Sequence, residues 1–377
     1  MTGLTVIDLS RVLAGPYATM VLADLGARVI KVERPDTGDD ARAYGPMKDG
    51  LSAYFTSINR GKQSIALDLK HAGDIDIFHA LLAKADILVE NYRPGTMAKL
   101  GLGWEALHAR HPKLIYAAVS GFGHSGPMAE KAAYDMVVQA MGGIMSVTGH
   151  PGGPPTRVGT SIGDITAGLF TTIGILAAVH DRAATGEGRF VDVAMLDGQV
   201  AILENAIARY AVTGEAPGPL GARHPSITPF AAYRTKDAPI VIAAGNDALF
   251  IAMCGALGID RLPDNPRFRT NADRAENAEA LTVAMEAQLL EQPAAHWLAA
   301  LDAAGVPCGP IQNVGEALAH PQVRARNMAI ETAFEDGAPL TAAGNPIKIS
   351  GFADPAVRAK APALDEHRDM ILKALAQ

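Results

Sequence analysis

Short apolar runs rich in β-branched residues alternate with segments of helical spacing along the first third of the chain. Residues 4–9 form the first run, Gly15 and Pro16 interrupt it, and apolar positions then recur at helical spacing over 17–25. A helix is likewise predicted over 74–83. Further apolar runs predict strands over 27–32, 63–69, 87–90 and 114–120. Strands that alternate with helices are typical of an α/β fold with a mostly parallel sheet.

A long apolar helix is predicted after the glycine- and proline-rich residues 149–155. It covers 164–184, a Gly-Glu-Gly turn at 186–188 ends it, and 190–195 follows as a strand. Its most apolar stretch, around 169–179, is shorter than the ~20 residues that span a bilayer. The helix is therefore predicted to be part of a soluble core.

A second change in composition separates a smaller region from the rest. Residues 214–221 are rich in glycine and proline, as in a linker between domains. A small hairpin and helical patterns follow, and strand and helix patterns resume after Gly305. We therefore predict a large domain built from both chain ends, 1–213 and 306–377, and a smaller α+β domain over 222–305.

Composition and charge exclude several classes of protein. Of the 377 residues, 49% are hydrophobic and 19% charged, with a net charge of −7, which excludes a disordered chain and a general nucleic-acid binder. Cys254 and Cys308 follow no repeating pattern, which argues against a disulfide framework or a thiolate zinc site. The first residues lack the basic and apolar regions of a signal peptide. We expect a cytoplasmic protein with small-molecule partners, and no nucleic acid, membrane or metal.

The opening strand–helix–strand unit has one feature of a dinucleotide-binding fold. Glu33 ends the second strand about 20 residues after the first turn, where such folds place a ribose-binding acid. However, the turn at 11–16 has one glycine where the pyrophosphate fingerprint needs three. The helix that follows Gly15 and Pro16 still offers free N–H groups to a phosphate. Alternatively, this is an ordinary turn, and Glu33 forms a salt bridge on the surface.

Residues 159–163 match the G-x-S-x-G pattern of a serine hydrolase. The preceding segment, 154–158, is led by prolines and weakly apolar, whereas a nucleophilic serine of this kind follows a buried strand. We predict instead that Ser161 caps free N–H groups at the start of the long helix.

Asp164 is the next candidate for a reactive group, because it lies at the start of the same helix. The dipole and free N–H groups there favour an ionised carboxylate, although Asp164 could equally be a simple capping residue. Two histidines, His108 and His111, share one helical face, but the sequence suggests no third metal ligand. They are predicted to be surface side chains.

A series of short motifs resembles one known family over nearly the whole chain, from about Leu4 to His367. The motifs are RVLAGPY (11–17), LGARVIKVERP (25–35), NRGKQS (59–64), VENYRPG (89–95), SGFG (120–123), AYD (133–135), GD (163–164), TGEG (185–188) and VPCGP (306–310). Together they resemble family III (CaiB/BaiF) coenzyme A transferases, and most closely the members of the succinyl-CoA:glutarate or hydroxymethylglutarate type. The resemblance implies a Rossmann-like large domain and an interlocked homodimer, in which each chain passes through a ring formed by the other.

The resemblance also implies a reaction. CoA moves from an acyl-CoA, here expected to be succinyl-CoA or another short dicarboxylyl-CoA, to a free carboxylic acid. Asp164 would be the nucleophile, forming first a mixed anhydride and then an aspartyl-CoA thioester. CoA is a substrate in this chemistry, and no prosthetic group is expected.

Carried over position by position, the resemblance implies a set of CoA-binding residues at strand ends. These are Val12, Ala14, Arg34, Leu67, Lys70, Asn91, Tyr92, Lys99, Tyr134 and Asp135. Arg34, Lys70 and Lys99 would bind the phosphates of the nucleotide. The chain departs from the formyl-CoA transferases by having Lys99 in place of arginine, Arg11 in place of histidine and Leu13 in place of glutamine. It also lacks their run of glycines, so neither formyl nor oxalyl specificity is expected.

Two alternative functions remain open from the sequence. The α-methylacyl-CoA racemases share many of these motifs, but they have a histidine where this chain has Tyr134. A tyrosine, with an ordinary pKa of ~10, is a poor base for removing an α-proton. A CoA-binding protein without catalytic activity is the other alternative. The cation that binds a second substrate carboxylate also stays open, with Arg42, Arg60, Arg157 or another residue as candidates.

Overall fold

The structure is a computed structural model that describes residues 1–377. The strands are β1 (Thr5–Asp8), β2 (Arg28–Glu33), β3 (Met47–Lys48), β4 (Leu51–Ser52), β5 (Gln63–Ala66), β6 (Ile87–Glu90), β7 (Ile115–Ser120), β8 (Phe190–Ala194), β9 (Phe230–Tyr233), β10 (Ile240–Ala243), β11 (Cys308–Pro310), β12 (Ala329–Ala333) and β13 (Pro339–Ala343).

The α-helices are α1 (Ala14–Asp24), α2 (Ala53–Asn59), α3 (Ala72–Ala83), α4 (Thr96–Lys99), α5 (Trp104–Arg110), α6 (Asp135–Met141), α7 (Ile144–Val147), α8 (Ile162–Thr185), α9 (Met195–Ala201), α10 (Glu204–Thr213), α11 (Asp247–Leu257), α12 (Asn271–Glu276), α13 (Ala278–Leu289), α14 (Ala294–Ala303), α15 (Val314–Ala319), α16 (Pro321–Ala325) and α17 (Arg368–Leu375). Short 3-10 helices cover Asp40–Ala43, Leu262–Asp264 and Pro266–Phe268.

The larger of two compact units contains a six-stranded parallel sheet. This unit comprises residues 1–146, 157–216 and 318–377, and its strand order is β5-β2-β1-β6-β7-β8. Side chains alternate between two buried layers: Val6 packs with α1 and α8, whereas Ile7 packs with α3. Helices therefore cover both faces of a parallel sheet, which confirms the predicted α/β class.

The C-terminal end of the chain packs against the same sheet. Ile371 of α17 lies in one core layer with Phe78 of α3. At the neighbouring strand end, the backbone N–H of His367 donates to the carbonyl of Ser64 at 3.0 Å. The larger unit is thus built from both ends of the chain.

The long helix α8 is central to the larger unit. It begins at Ile162 and ends at Gly186, which adopts the left-handed conformation (φ +77°) that suits glycine at a helix C-terminus. By length and composition α8 is apolar enough to cross a membrane. In the structure it packs instead against α1 and the sheet, with Ile175 and Ala178 in the core, as expected for a core helix.

The smaller unit comprises residues 147–156 and 217–317. It contains an antiparallel sheet with the order β11-β10-β9, packed against α11, α13 and α14. These bounds differ from the sequence-based domains at two segments. Residues 308–310 pair with β10, and the carbonyl of Gly149 accepts a hydrogen bond from the N–H of Gly221. The sequence pattern predicts both segments in the large domain, because a strand pattern does not reveal which sheet the strand joins.

Candidate active site

A cavity of about 190 Å³ lies at the carboxyl edge of the parallel sheet in the larger unit. Open α/β sheets bind ligands at this edge, where the loops after several strands meet. The lining comes from the turn after β1, the loops after β6 and β7, and the first turn of α8. The residues used below are Arg11–Ala14, Asp40, Asn91–Pro94, Lys131–Tyr134 and Asp164.

Asp164 lies in the first turn of α8 and lines the cavity. Burial raises its pKa to about 7, and the negative charge of Asp135 acts in the same direction. The backbone N–H of Ala14 interacts with the carboxylate and lowers the pKa, but this effect is smaller. Near neutral pH the side chain is therefore present in both protonation states.

Asp135 holds the start of α8 in place. Its Oδ1 accepts a hydrogen bond from the N–H of Gly163 at 2.8 Å, and its Oδ2 accepts one from Nε2 of Gln139 at 2.7 Å. A Cβ on Gly163 would lie 2.7 Å from Cγ2 of Val138, so only glycine permits this close approach. The prediction that Ser161 caps the helix is wrong, because its side chain makes no capping bond. Asp135 performs that role from another helix, which local sequence does not reveal.

The turn between β1 and α1 brings backbone groups to the same cavity. Asn91 fixes it by accepting from the N–H of Arg11 at 2.9 Å and donating to the Arg11 carbonyl at 2.7 Å. Gly15 packs so closely that a Cβ would lie 2.3 Å from Cβ of Ser10. The result is a tight turn that leads directly to Ala14, beside Asp164.

Comparison with known proteins identifies the family. The sequence model of CoA-transferase family III matches residues 1–368, nearly the whole chain. The protein belongs to CoA-transferase family III. The resemblance stated from the motifs is thereby confirmed.

Relatives of this family III CoA-transferase include named enzymes. It is 49% identical over 375 residues to the acetyl-CoA:oxalate CoA-transferase of Acetobacter aceti, covering 99% of this chain and 95% of the relative. It is 38% identical over 374 residues to the succinyl-CoA:glutarate CoA-transferase of Homo sapiens, covering 99% and 85%. The crystal structure of a CAIB/BAIF family protein from Brucella suis superimposes with a TM-score of 0.87 at 40% identity, covering 99% and 98%. The protein is thus a transferase that acts on CoA thioesters.

The structure brings six of the predicted site residues of this CoA-transferase to the cavity. They are Val12, Ala14, Asn91, Tyr92, Tyr134 and Asp164. Arg34 does not line the cavity, but it forms an ion pair with Asp40, which does. Asp135 lies behind Asp164 and acts on it electrostatically.

Three predicted CoA-binding residues lie outside the cavity lining. Leu67 is buried in the core beside the sheet, and its backbone N–H donates to the carbonyl of Glu33 at 2.9 Å. Lys70 and Lys99 are exposed. Both lysines follow strands of the parallel sheet, β5 and β6, and their binding to phosphates stays a prediction.

The cations of the cavity differ from those proposed for a second carboxylate. Arg42 is bound by Glu33, and Arg60 by Asp24. Arg157 lies 3.9 Å from Asp135 and does not line the cavity. The cations that do line it are Arg11, Arg93 and Lys131. Sequence reasoning missed Arg93 and Lys131, although each lies within three residues of a predicted site residue.

Glu33 is neither a ribose-binding acid nor a surface residue. Its side chain is buried and accepts two hydrogen bonds from the guanidinium of Arg42, each at 2.8 Å. Ser64 donates a third at 2.6 Å. Burial raises the pKa of Glu33, but these partners and Lys31 hold it below its ordinary value. Glu33 therefore links the end of β2 to Arg42 and Ser64, and its carboxylate is not free to bind a ligand.

Proposed function

We propose that this enzyme exchanges CoA between short carboxylic acids, at least one of them a dicarboxylic acid, with Asp164 as the nucleophile. One observation carries the assignment of Asp164. Two carboxylates line the cavity, and Asp40 is neutralised by ion pairs with Arg11 and Arg34. Asp164 forms no ion pair with a cation. It is thus the carboxylate in the cavity that is available to attack a carbonyl carbon.

The proposed exchange proceeds through two covalent intermediates on Asp164. The Asp164 carboxylate attacks the thioester carbonyl, and CoA leaves as a thiolate, which forms a mixed anhydride. The thiolate then attacks the Asp164 carbonyl, releasing the donor acid and leaving an aspartyl-CoA thioester. The acceptor acid reverses both steps. Because one thioester replaces another, ATP is not required. Water must be excluded, since it hydrolyses an anhydride.

Dicarboxylic acids fit the charges of the cavity. Arg11, Arg93 and Lys131 line it, and only Arg11 is paired with a carboxylate there. Relatives are named for oxalate, glutarate and mesaconate as acceptors, and for acetyl-CoA or succinyl-CoA as donors. We propose succinyl-CoA or another short dicarboxylyl-CoA as the donor. Acetyl-CoA is the alternative donor to be tested.

A second copy of the chain is proposed to cover the apolar side chains exposed on α8 and α10. Ile173 is 60% exposed, Tyr210 55% and Val212 87%. Patches of this kind mark association surfaces in soluble proteins. The exposed apolar side chains support the homodimer that the motifs imply. We also propose that the enzyme is cytoplasmic. Light scattering should give twice the mass of one chain, and a monomer at micromolar concentration would reject the dimer.

The test of the proposed function is a substrate screen. The purified enzyme is incubated with succinyl-CoA or acetyl-CoA and a mixture of free mono- and dicarboxylic acids, without ATP. Mass spectrometry then identifies new acyl-CoAs, and we expect a dicarboxylyl-CoA to form. Deuterium uptake from D2O by a branched acyl-CoA, with no new thioester, would indicate a racemase. CoA binding with neither reaction would indicate a binding protein.

The pH dependence of the exchange should report the environment of Asp164. The nucleophile must be ionised, so kcat/KM, which reports the free enzyme, should rise with pH through a midpoint near 7, the pKa to which burial and Asp135 raise it. The charged residues that line the cavity with it are Arg11, Asp40, Arg93 and Lys131, and the nearby phenol of Tyr54 stays neutral because burial raises its pKa to about 12.

Asp135→Asn tests the second cause of that raised pKa. The change removes a negative charge but keeps an oxygen for the N–H of Gly163. Loss of like-charge repulsion should move the midpoint to lower pH by about half a unit or more. Asp181→Asn, at the opposite end of α8, should leave the midpoint unchanged. An upward shift for Asp135→Asn would contradict the electrostatic role of this residue.

A further inference from the structure

The turn between β1 and α1 has a backbone conformation that its sequence disfavours. Val12 has φ +67°, in the left-handed region that β-branched residues rarely adopt. It lines the cavity together with Ala14, two residues later, and Asp164. The N–H of Ala14 is the backbone donor that lowers the pKa of Asp164. A strained residue at such a place persists only where its surroundings hold it.

Two buried charged residues form hydrogen bonds to the backbone of this turn, one on each side of Arg11. The ammonium of Lys31 donates to the carbonyl of Ser10 at 2.7 Å, and Oδ1 of Asp39 accepts from the N–H of Val12 at 2.9 Å. Nζ of Lys31 and Oδ2 of Asp39 are 2.8 Å apart, and neither side chain is more than 1% exposed. The ion pair therefore links the carbonyl before Arg11 to the N–H after it.

Neither member of this pair is placed to touch a substrate. Lys31 and Asp39 do not line the cavity. Asn91 also forms hydrogen bonds to the turn, but it lines the cavity and therefore belongs to the binding surface. Buried ion pairs contribute little net stability on average, and a role in fixing one conformation is a recognised reason for their presence.

We propose that Lys31 and Asp39 are positioning residues of the CoA transfer reaction, which fix the backbone of Ser10–Val12 so that the N–H of Ala14 faces the Asp164 carboxylate. This proposal rests on the proposed role of Asp164 as nucleophile. The N–H orients the carboxylate and favours its ionised, nucleophilic form, so the pair acts on the reaction through the backbone.

Asp39→Asn is the first test. Asparagine keeps an acceptor for the N–H of Val12 but loses the charge that binds Lys31. We expect kcat per folded molecule to fall at least tenfold, and the pH midpoint of kcat/KM to rise, because the Ala14 N–H then interacts less with Asp164. A purely electrostatic effect has the opposite sign, since removal of a negative charge lowers a carboxyl pKa. A downward shift or an unchanged midpoint overturns the proposal.

Val12→Gly provides a rescue experiment. Glycine adopts a positive φ without steric cost, so a turn with glycine needs the ion pair less. The fold-loss in kcat caused by Asp39→Asn should therefore be several times smaller in a Val12→Gly background than in the native one. Equal losses in both backgrounds overturn the proposal. A residue that only stabilised the fold would not be rescued by glycine, which also loosens the unfolded chain.

Two further variants make the outcome unambiguous. If Asp39→Asn does not fold, the double variant Lys31→Met, Asp39→Asn leaves no unpaired buried charge, and the same loss of kcat and upward shift are expected. Asp24→Asn removes the charge that binds Arg60 at the other end of α1, at a distance of 2.7 Å. Asp24→Asn should leave kcat within twofold of the native value. A tenfold loss in this variant would show that loss of any buried ion pair lowers kcat, and not only loss of the pair at the turn.

The two proposals fail in different ways. If Asp164→Asn retains exchange, the nucleophile assignment fails. If exchange requires Asp164 but kcat and the pH midpoint of kcat/KM are unaffected by Asp39→Asn, only the positioning role is overturned.

Discussion

Asp164→Asn should lower the rate of CoA exchange by about 10⁴-fold or more, the scale of loss seen when a covalent nucleophile is removed. Asparagine has nearly the same shape, so the cavity and the first turn of α8 should remain. The amide is a far weaker nucleophile than a carboxylate and does not form the anhydride. CoA affinity should change little, because Asp164 is proposed to act on the acyl group and not on the nucleotide. Initial rates with succinyl-CoA and calorimetric CoA binding measure the two effects.

A direct search for the covalent intermediate accompanies the kinetics. With acyl-CoA and no acceptor, the peptide that contains Asp164 should gain the mass of CoA less one water in the native protein, because a thioester replaces the carboxylate. The same peptide of Asp164→Asn should not. Asp181→Asn lies on the same helix, forms an exposed ion pair with Arg189 and serves as the matched control. Exchange by Asp164→Asn within tenfold of the native rate would refute the nucleophile. An adduct on another residue would show that a different nucleophile is used.

The second large effect is expected in stability, when the charge of Asp8 is removed. Asp8 ends β1, and its side chain is fully buried between two lysines. Oδ2 accepts from Nζ of Lys62 at 2.9 Å and from the hydroxyl of Thr19 at 2.7 Å. Burial alone raises the pKa of Asp8, but Lys31, Lys62 and the hydroxyl donors hold it well below its ordinary range. Asp8 is therefore ionised and compensates buried positive charge.

Asp8→Asn should lower the free energy of unfolding by about 3–5 kcal/mol at pH 7, because it leaves a buried lysine charge uncompensated. Denaturant unfolding at pH 7 measures the loss. The matched control is Asp181→Asn, whose exposed ion pair should leave the unfolding midpoint unchanged. Equal midpoints for both variants would contradict the role of Asp8.

The loss should also depend on pH, through Lys62. Burial lowers the pKa of Lys62 to about 8, although the charge of Asp8 opposes this. A lysine whose pKa is lower in the folded state destabilises the fold below that pKa, and this cost declines as the pH rises towards the unfolded value of ~10.4. At pH 9 Lys62 is largely neutral, so Asp8→Asn should cost less than at pH 7. A larger loss at pH 9 would show that Lys62 is not the affected group.

The six strands of the parallel sheet and the helices α1, α3 and α8 could be predicted from the sequence. The run at 87–90 matches β6 without error, and the pattern at 164–184 matches α8 to within two residues. These signals are local, because a strand buried on both faces is a continuous apolar run and a core helix repeats every three to four residues. The motifs likewise indicated the family, and they placed Asp164 at the first turn of the correct helix.

The site itself needed contacts between distant segments. Ser161 is an ordinary capping residue by pattern, yet Asp135 from another helix binds the N–H of Gly163. Asp40 and Asp164 are the same residue type, and the sequence does not distinguish their environments. Only the structure shows that ion pairs with arginines neutralise Asp40. Hydrogen bonds and ion pairs of this kind join residues far apart in the chain, and no local pattern encodes them.

The sequence by itself thus determined the α/β class, the strands of the parallel sheet, the helices α1, α3 and α8, and the family of the protein, because periodicity and short motifs are properties of neighbouring residues. The tertiary structure alone decided the sheet order, the unit to which β11 belongs, and the cations that line the cavity. It also decided how buried charges hold the turn at Val12. Each of these depends on which distant segments pack together, and therefore on the whole fold.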